Sequence, residues 1–215
     1  MKKSEATREK ILEAALRLFR RRGFEKTTMR DVAKAAGLAV GAAYYYFPSK
    51  DALVLAYYDR TQLAHTTLAR EGMKRADDVG GRLRAVLHTK IDTIERDRKL
   101  LSALFRSIGD PASELSIFGG KTRRVRDESI ALFREALAPE KLPPELETSI
   151  ALAFWSLSMG LVLFFIHDDS PQHRKTRALV DRSVELVAPM LPMVPMLAPM
   201  GAPLLEALRE AGLTD

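Results

Sequence analysis

A chain of 215 residues has room for a small domain and a larger one, each with its own core; 47% apolar and 29% charged residues suit an ordinary globular protein. Cysteine is absent, which excludes disulfides, thiolate metal sites and thiol redox sensing. The net charge of +6 is unevenly placed: up to Leu53 there are 12 Lys/Arg against 6 Asp/Glu, and beyond it 22 of each. Such a basic segment attracts a nucleic-acid backbone or an acidic membrane surface. The N-terminal run is charged and has no apolar core region, so no signal peptide is read there and a cytoplasmic protein is expected.

Residues 8–22 form an amphipathic helix, with Ile11, Ala14, Ala15, Leu18 and Phe19 on one face and Arg17, Arg20 and Arg21 on the other. Gly23 stops it, and Phe24 is placed to pack back on its last turn. Thr28 caps the next helix, with Asp31 three residues on completing a capping box. Val32, Ala33 and Ala36 recur at helical spacing until Gly37 allows the left-handed turn that ends the helix. A second short helix starts near Val40 and runs no further than Phe47, because Pro48 disfavours a helical residue before it. Ser49 then caps a third helix, with Asp51 in its first turn. Two short helices around a glycine turn make a helix-turn-helix, whose second helix enters the DNA major groove. On that helix Ala43 and Phe47 share one face with Val40 near it, while Gly41 with Tyr45, and Ala42 with Tyr46, turn the other way.

These elements resemble the TetR-type transcriptional repressors: a capping Thr, an Ala-x-x-Ala-Gly end to the helix before the turn, a short helix closing in Tyr-x-x-Phe, and then Ser-Lys-Asp-x-Leu. Here they stand at Thr28, 33–37, 44–47 and 49–53, after a helix ending in Arg22, Gly23 and Phe24. The resemblance covers roughly the first quarter of the chain. It implies backbone contacts from Thr28, Tyr44, Tyr46 and Lys50, and base contacts from Arg30, Val40, Gly41, Ala42 and Tyr45. Val40 and Ala42 offer no hydrogen bonds, so base reading leans on thymine methyls, Tyr45 and Arg30.

The third helix continues from 51 to about 69. Gly80 and Gly81 separate it from helical stretches over 83–97 and 99–108, the latter ending at Gly109, Asp110 and Pro111. Residues 116–120 read as a loop and 121–138 as a helix closed by Pro139, Pro143 and Pro144. Residues 145–166 form a long apolar helix, 167–171 a turn, and 174–191 an amphipathic helix. The stretch 150–166 is at the short limit for a membrane span and is interrupted by Ser156, Ser158 and Gly160, so it reads as a buried helix at a subunit interface, with no membrane partner. Pro189, Pro192 and Pro195 recur every third residue, which predicts an extended polyproline linker, and 203–213 predicts one short amphipathic helix. No segment alternates like a strand, so the fold class is all-α. The expected domains are a DNA-binding head at 1–50 (helix-turn-helix at about 28–47), a helical ligand-binding and dimerisation body at 51–191, and a Pro/Met-rich tail at 192–215.

The resemblance further implies a homodimer through the helices 145–166 and 174–191, a double-stranded DNA operator, and a small-molecule effector bound in the body. Phe105, Phe118, Phe154, Trp155 and Phe164 are candidates to line the effector site, although such residues are more often plain core. Arg106 is a candidate partner for an acidic ligand. His167, Asp168, Asp169 and His173 flank a turn where polar residues are expected anyway, so no metal is assigned, and no cofactor is called for. There is no GxGxxG, Walker loop, HExxH, GxSxG or nucleophilic cysteine, so an enzyme is not expected. The function read is a ligand-responsive repressor released from an inverted-repeat operator by a small apolar or amphipathic effector. An activator of the same family and, remotely, an enzyme body on a DNA-binding head are the alternatives.

Overall fold

The computed structural model describes residues 2–194 together with Met196, Pro203, Glu206, Ala207 and Glu210, apart from the side chains of Lys2, Lys3, Arg106 and Glu145. The helix expected over 203–213, the third proline of the 189–195 run and the ligand contact assigned to Arg106 therefore fall largely outside the described residues. The described residues are all-α, with nine α-helices and no strand among them. They divide into two compact units, Met1–Leu63 with Ile94–Arg126, and Ala64–Thr93 with Asp127–Asp215.

The first unit opens with α1 (Lys2–Arg22), longer at its start than the apolar face alone indicated. Ile11, Ala14, Ala15, Leu18 and Phe19 are buried, and the Phe24 ring meets Phe19 edge-on at 5.2 Å, closing the α1 terminus. Next come α2 (Met29–Ala35), α3 (Val40–Tyr46) and the first part of α4 (Lys50–Met73). Val32, Ala33, Ala43, Phe47, Leu53 and Val54 complete a small core in which each fully buried large side chain contributes roughly 2 kcal/mol. A 3-10 turn (Glu95–Asp97), α6 (Arg98–Gly109), a second 3-10 turn (Gly120–Thr122) and the start of α7 (Arg123–Leu137) belong to the same unit.

The second unit holds the remainder of α4, most of α5 (Val79–Ile94) and of α7, α8 (Pro144–His167) and α9 (Arg174–Val187). Leu83, Val86, Leu87, Leu132, Phe133, Phe154, Trp155, Phe165, Val180 and Val184 form its core. Arg82 secures the end of α7, donating from Nε to the Ala136 carbonyl at 2.8 Å and pairing with Glu140 at 2.9 Å. Arg177 pairs with Asp92 at 2.7 Å, tying α9 to α5. Leu146–His167 within α8 is long and apolar enough to cross a membrane, with mean hydropathy 2.1, and 44% of its apolar window is buried in the fold. Its exposed residues, Ala153, Ser156, Gly160, Leu163, Phe164 and His167, recur every three or four positions and so form one stripe. On α9 and beyond, Leu179, Arg182, Leu186, Met190 and Met193 make a comparable exposed stripe.

Two local expectations are corrected. Gly80 and Gly81 do not separate helices; they sit in the first turn of α5, where Asp78 Oδ1 accepts from Gly81 N–H at 2.6 Å as a cap. A Cβ on Gly81 would lie 3.0 Å from that of Ala76, so the glycine serves close approach rather than a break. The Pro189–Pro192 region is not extended but a 3-10 helix, Ala188–Met193. The φ that proline fixes suits either conformation, and a three-residue repeat also falls on one edge of a helix with three residues per turn.

Candidate nucleic-acid interface

The capping box at the start of α2 is complete: Asp31 N–H donates to Thr28 Oγ1 at 3.1 Å, and Thr28 N–H donates to Asp31 Oδ2 at 3.0 Å. Those bonds, with the hydroxyl of Thr28 first among them, hold the Asp31 carboxyl below its usual range. At the other end Leu38 N–H reaches the Ala33 carbonyl at 3.0 Å and Gly37 N–H that of Lys34 at 3.1 Å, with Gly37 at φ +65°. This is a Schellman turn, and it fixes the angle at which α3 leaves α2. Phe47 is extended (φ −139°, ψ 102°), as Pro48 demands, and Ser49 Oγ accepts from Ala52 N–H at 3.0 Å to start α4.

Within α3, Ala43 and Phe47 point inward, and the opposite side is offered to solvent. Tyr45 is 82% exposed and meets the half-buried Tyr46 edge-on at 5.2 Å. Gly41, Val40 and Tyr44 are exposed and Ala42 is half-buried. Val40 thus lies on the rim rather than in the core. Thr28 and Arg30 are exposed at the N-terminal end of α2. Lys50 is half-buried: its Nζ donates to the Phe24 carbonyl at 3.0 Å and stands 4.3 Å from the centre of the Phe24 ring. It closes the α1–α2 loop while keeping two further N–H donors, so a phosphate contact would add to that bond.

Behind this surface lies a buried carboxylate that sequence reasoning missed. Asp97, 3% exposed, accepts from Arg20 Nε of α1 at 2.5 Å and from the Tyr57 hydroxyl of α4 at 3.0 Å. Burial first, and then the Asp97 charge, push the Tyr57 phenol above its ordinary range. Asp97 also raises the Arg20 guanidinium, chiefly through their hydrogen bond. One carboxylate therefore joins α1, α4 and the turn before α6.

A family model for bacterial regulatory proteins of the tetR family matches residues 11–57, and one for the tetracyclin repressor-like C-terminal domain matches 82–199, more than half the chain. The chain belongs to the TetR family. An uncharacterised helix-turn-helix regulator of Mycobacterium tuberculosis is 30% identical over 216 residues, covering 98% of this chain and 93% of its own. The regulator TtgR of Pseudomonas putida is 32% identical over 124 residues, 58% of this chain and only 49% of that protein, about half its length. Among solved structures, a TetR regulator from Nitrosomonas europaea superposes with a TM-score of 0.68 at 19% identity, covering 84% of this chain and 97% of its own. FadR of Bacillus subtilis, solved in complex with stearoyl-CoA, gives 0.65 at 16%, with coverage of 84% and 97%. At these identities the structural likeness establishes the fold.

In this TetR-family chain the aromatic residues proposed for an effector site are not gathered into one cluster. Phe105 and Phe118 belong to the first unit and are exposed. In the second unit Phe154 is buried, stacked on Phe133 with ring centres 6.0 Å apart, and Trp155 is buried as well. Phe164 is exposed, nine residues from Trp155 and so on the opposite side of α8. Composition alone does not distinguish a core aromatic from a pocket aromatic. Near the α8–α9 turn, Asp168 is buried and committed: its oxygens accept from Ser170 N–H and Oγ and from Thr176 N–H and Oγ1 at 2.6–2.9 Å. Burial pushes this carboxyl up, but the Ser170 and Thr176 bonds outweigh it and leave it well below the carboxylate range. It is a cap for α9.

Proposed function

We propose that this chain is a ligand-responsive, DNA-binding transcriptional regulator acting in the cytoplasm, a repressor released from an inverted-repeat operator by a small apolar or amphipathic effector. The observation that carries this reading is α3: a short helix held by Ala43 and Phe47, with Gly41 and the 82%-exposed Tyr45 on its outer face. It lies within the segment that holds all the excess positive charge of the chain. Base contacts are assigned to Arg30, Val40, Gly41, Ala42 and Tyr45, and backbone contacts to Thr28, Tyr44, Tyr46 and Lys50. Membership of a family of helix-turn-helix regulators supports the same reading.

A homodimer through α8 and α9 follows from their exposed stripes. Leu163, Phe164, Leu179 and Leu186 stay exposed in one chain, and a Cβ on Gly160 would meet nothing within 4 Å, leaving room for a second helix to approach closely. A two-fold dimer presents two recognition helices to related half-sites. FadR's acyl-CoA complexes supply a precedent for an amphipathic effector in this fold. The test is a gel shift on the DNA between this gene and its neighbours. Binding to a symmetric site, with one dimer per site, is expected; no preference for that DNA over unrelated duplex refutes the reading.

A further inference from the structure

Two polar groups within the second unit lack the partners that their burial demands. His65 on α4 is 1% exposed, and its Nε2 lies 2.9 Å from the Val86 carbonyl of α5. A carbonyl only accepts, so Nε2 carries the proton and Nδ1 presents a lone pair. That Nδ1 is buried with no hydrogen-bond partner. Lys90 stands one turn beyond Val86 on the same face of α5 and is only partly exposed. Among the described residues no carboxylate pairs with it. Burial pulls its ammonium down to about 8, which leaves it largely charged at neutral pH. Burial and then the Lys90 charge hold the His65 ring at about 3, so the ring is neutral. Along α5 the flanking Leu83, Val86, Leu87 and Ile91 are buried and apolar.

An orphaned acceptor and an unpaired cation near one another in apolar surroundings both oppose folding, and a protein gains nothing from them unless something else completes them. What they lack is specific. Lys90 needs an anionic oxygen, and His65 Nδ1 needs an O–H or N–H donor. We propose that His65 and Lys90 form a head-group subsite for the effector, taking an amphipathic molecule that carries a carboxylate next to a hydroxyl. The carboxylate pairs with Lys90 Nζ, the hydroxyl donates to His65 Nδ1, and the apolar remainder lies among the neighbouring aliphatic side chains. This deepens, and rests on, the reading of the chain as effector-responsive.

The test is calorimetry of the full-length protein with 2-hydroxydecanoate, decanoate and decanol below their micellar or solubility limits. The wild type should bind them in that order. Lys90→Met should weaken both acids about tenfold or more while leaving decanol unchanged, as for a lost charge-assisted bond. His65→Gln places an amide nitrogen where Nε2 was, which keeps the bond to Val86 and removes only the Nδ1 acceptor. It should erase the margin of the hydroxy acid over decanoate, about threefold to tenfold, and leave decanoate bound as before. Lys90→Met removes an unpaired buried charge and should raise the urea midpoint, which confirms that the variant folds. Decanol binding as tightly as decanoate, a preference order unchanged in Lys90→Met, or no binding of 2-hydroxydecanoate would each overturn the proposal. The underlying reading fails differently: Lys90-dependent binding of the acids that leaves operator affinity untouched in a gel shift establishes the subsite and refutes the effector role.

Discussion

Asp97 is the residue whose removal should most clearly expose how the first unit is held. It is buried, and Arg20 and Tyr57 both donate to it, from α1 and α4 respectively. A hydrogen bond with a charged partner is worth about 1.5–3 kcal/mol, and a buried hydroxyl left unpaired costs about 1–3 kcal/mol. The Arg20 side chain is 34% exposed and can turn to water, so its share is discounted. Asp97→Ala should therefore cost about 3 kcal/mol and Asp97→Asn, which keeps one acceptor, about half of that. Tyr57→Phe alone should cost about 1 kcal/mol. Urea denaturation followed by circular dichroism measures all three, and the double variant of Asp97 and Tyr57 should fall short of the sum of its parts. The phenol adds a pH signature. Its pKa is raised in the folded chain, so its contribution is present below its ordinary value of about 10 and is lost as pH rises beyond it. That alkaline loss should shrink in Tyr57→Phe. A cost below about 1 kcal/mol for Asp97→Ala, or strict additivity with Tyr57→Phe, would refute the view that one carboxylate joins these three elements.

Tyr45→Ala should leave stability within about 0.5 kcal/mol, because the side chain is exposed, and change which base is preferred in each half-site; selection from a randomised operator reads this directly. Lys50→Ala should weaken binding to all sequences alike and flatten the salt dependence by about one unit of slope. Its lost bond to Phe24 should also cost about 1 kcal/mol of stability. Leu186→Glu, at an exposed position on α9, should raise the dimer dissociation constant about 30-fold or more without unfolding the chain; ultracentrifugation showing an unchanged dimer would remove α9 from the interface. The His65 ring ionises more readily unfolded than folded, so its contribution is present above about pH 6.5 and lost as pH falls toward about 3. His65→Gln should flatten that acid limb of the stability profile, and an unaltered limb would show that His65 is not buried neutral.

The helix-turn-helix was legible in the sequence because each of its signals is local. Thr28 and Asp31 cap within four residues, Gly37 supplies a backbone conformation that it alone adopts cheaply, and Pro48 acts on the residue beside it. The outward turn of Tyr45 followed from the helical period. Where two conformations satisfy the same local rule, the sequence leaves the choice open: prolines at every third residue fit a polyproline strand or the observed 3-10 helix, and Gly-Gly fits a break or a crowded first turn. Tertiary structure decided what depends on residues far apart in the chain. Asp97 is an unremarkable acid in sequence and becomes a junction only because Arg20, 77 residues away, and Tyr57, 40 residues away, are folded onto it. Aromatic residues are equally apolar in a core or a pocket, so burial had to assign Phe154 to one setting and Phe164 to another. The same holds for His65 and Lys90, whose missing partners are a property of the packed interior. Short-range steric and capping rules are written into the chain, whereas the pairing of a buried charge is fixed only when distant helices meet.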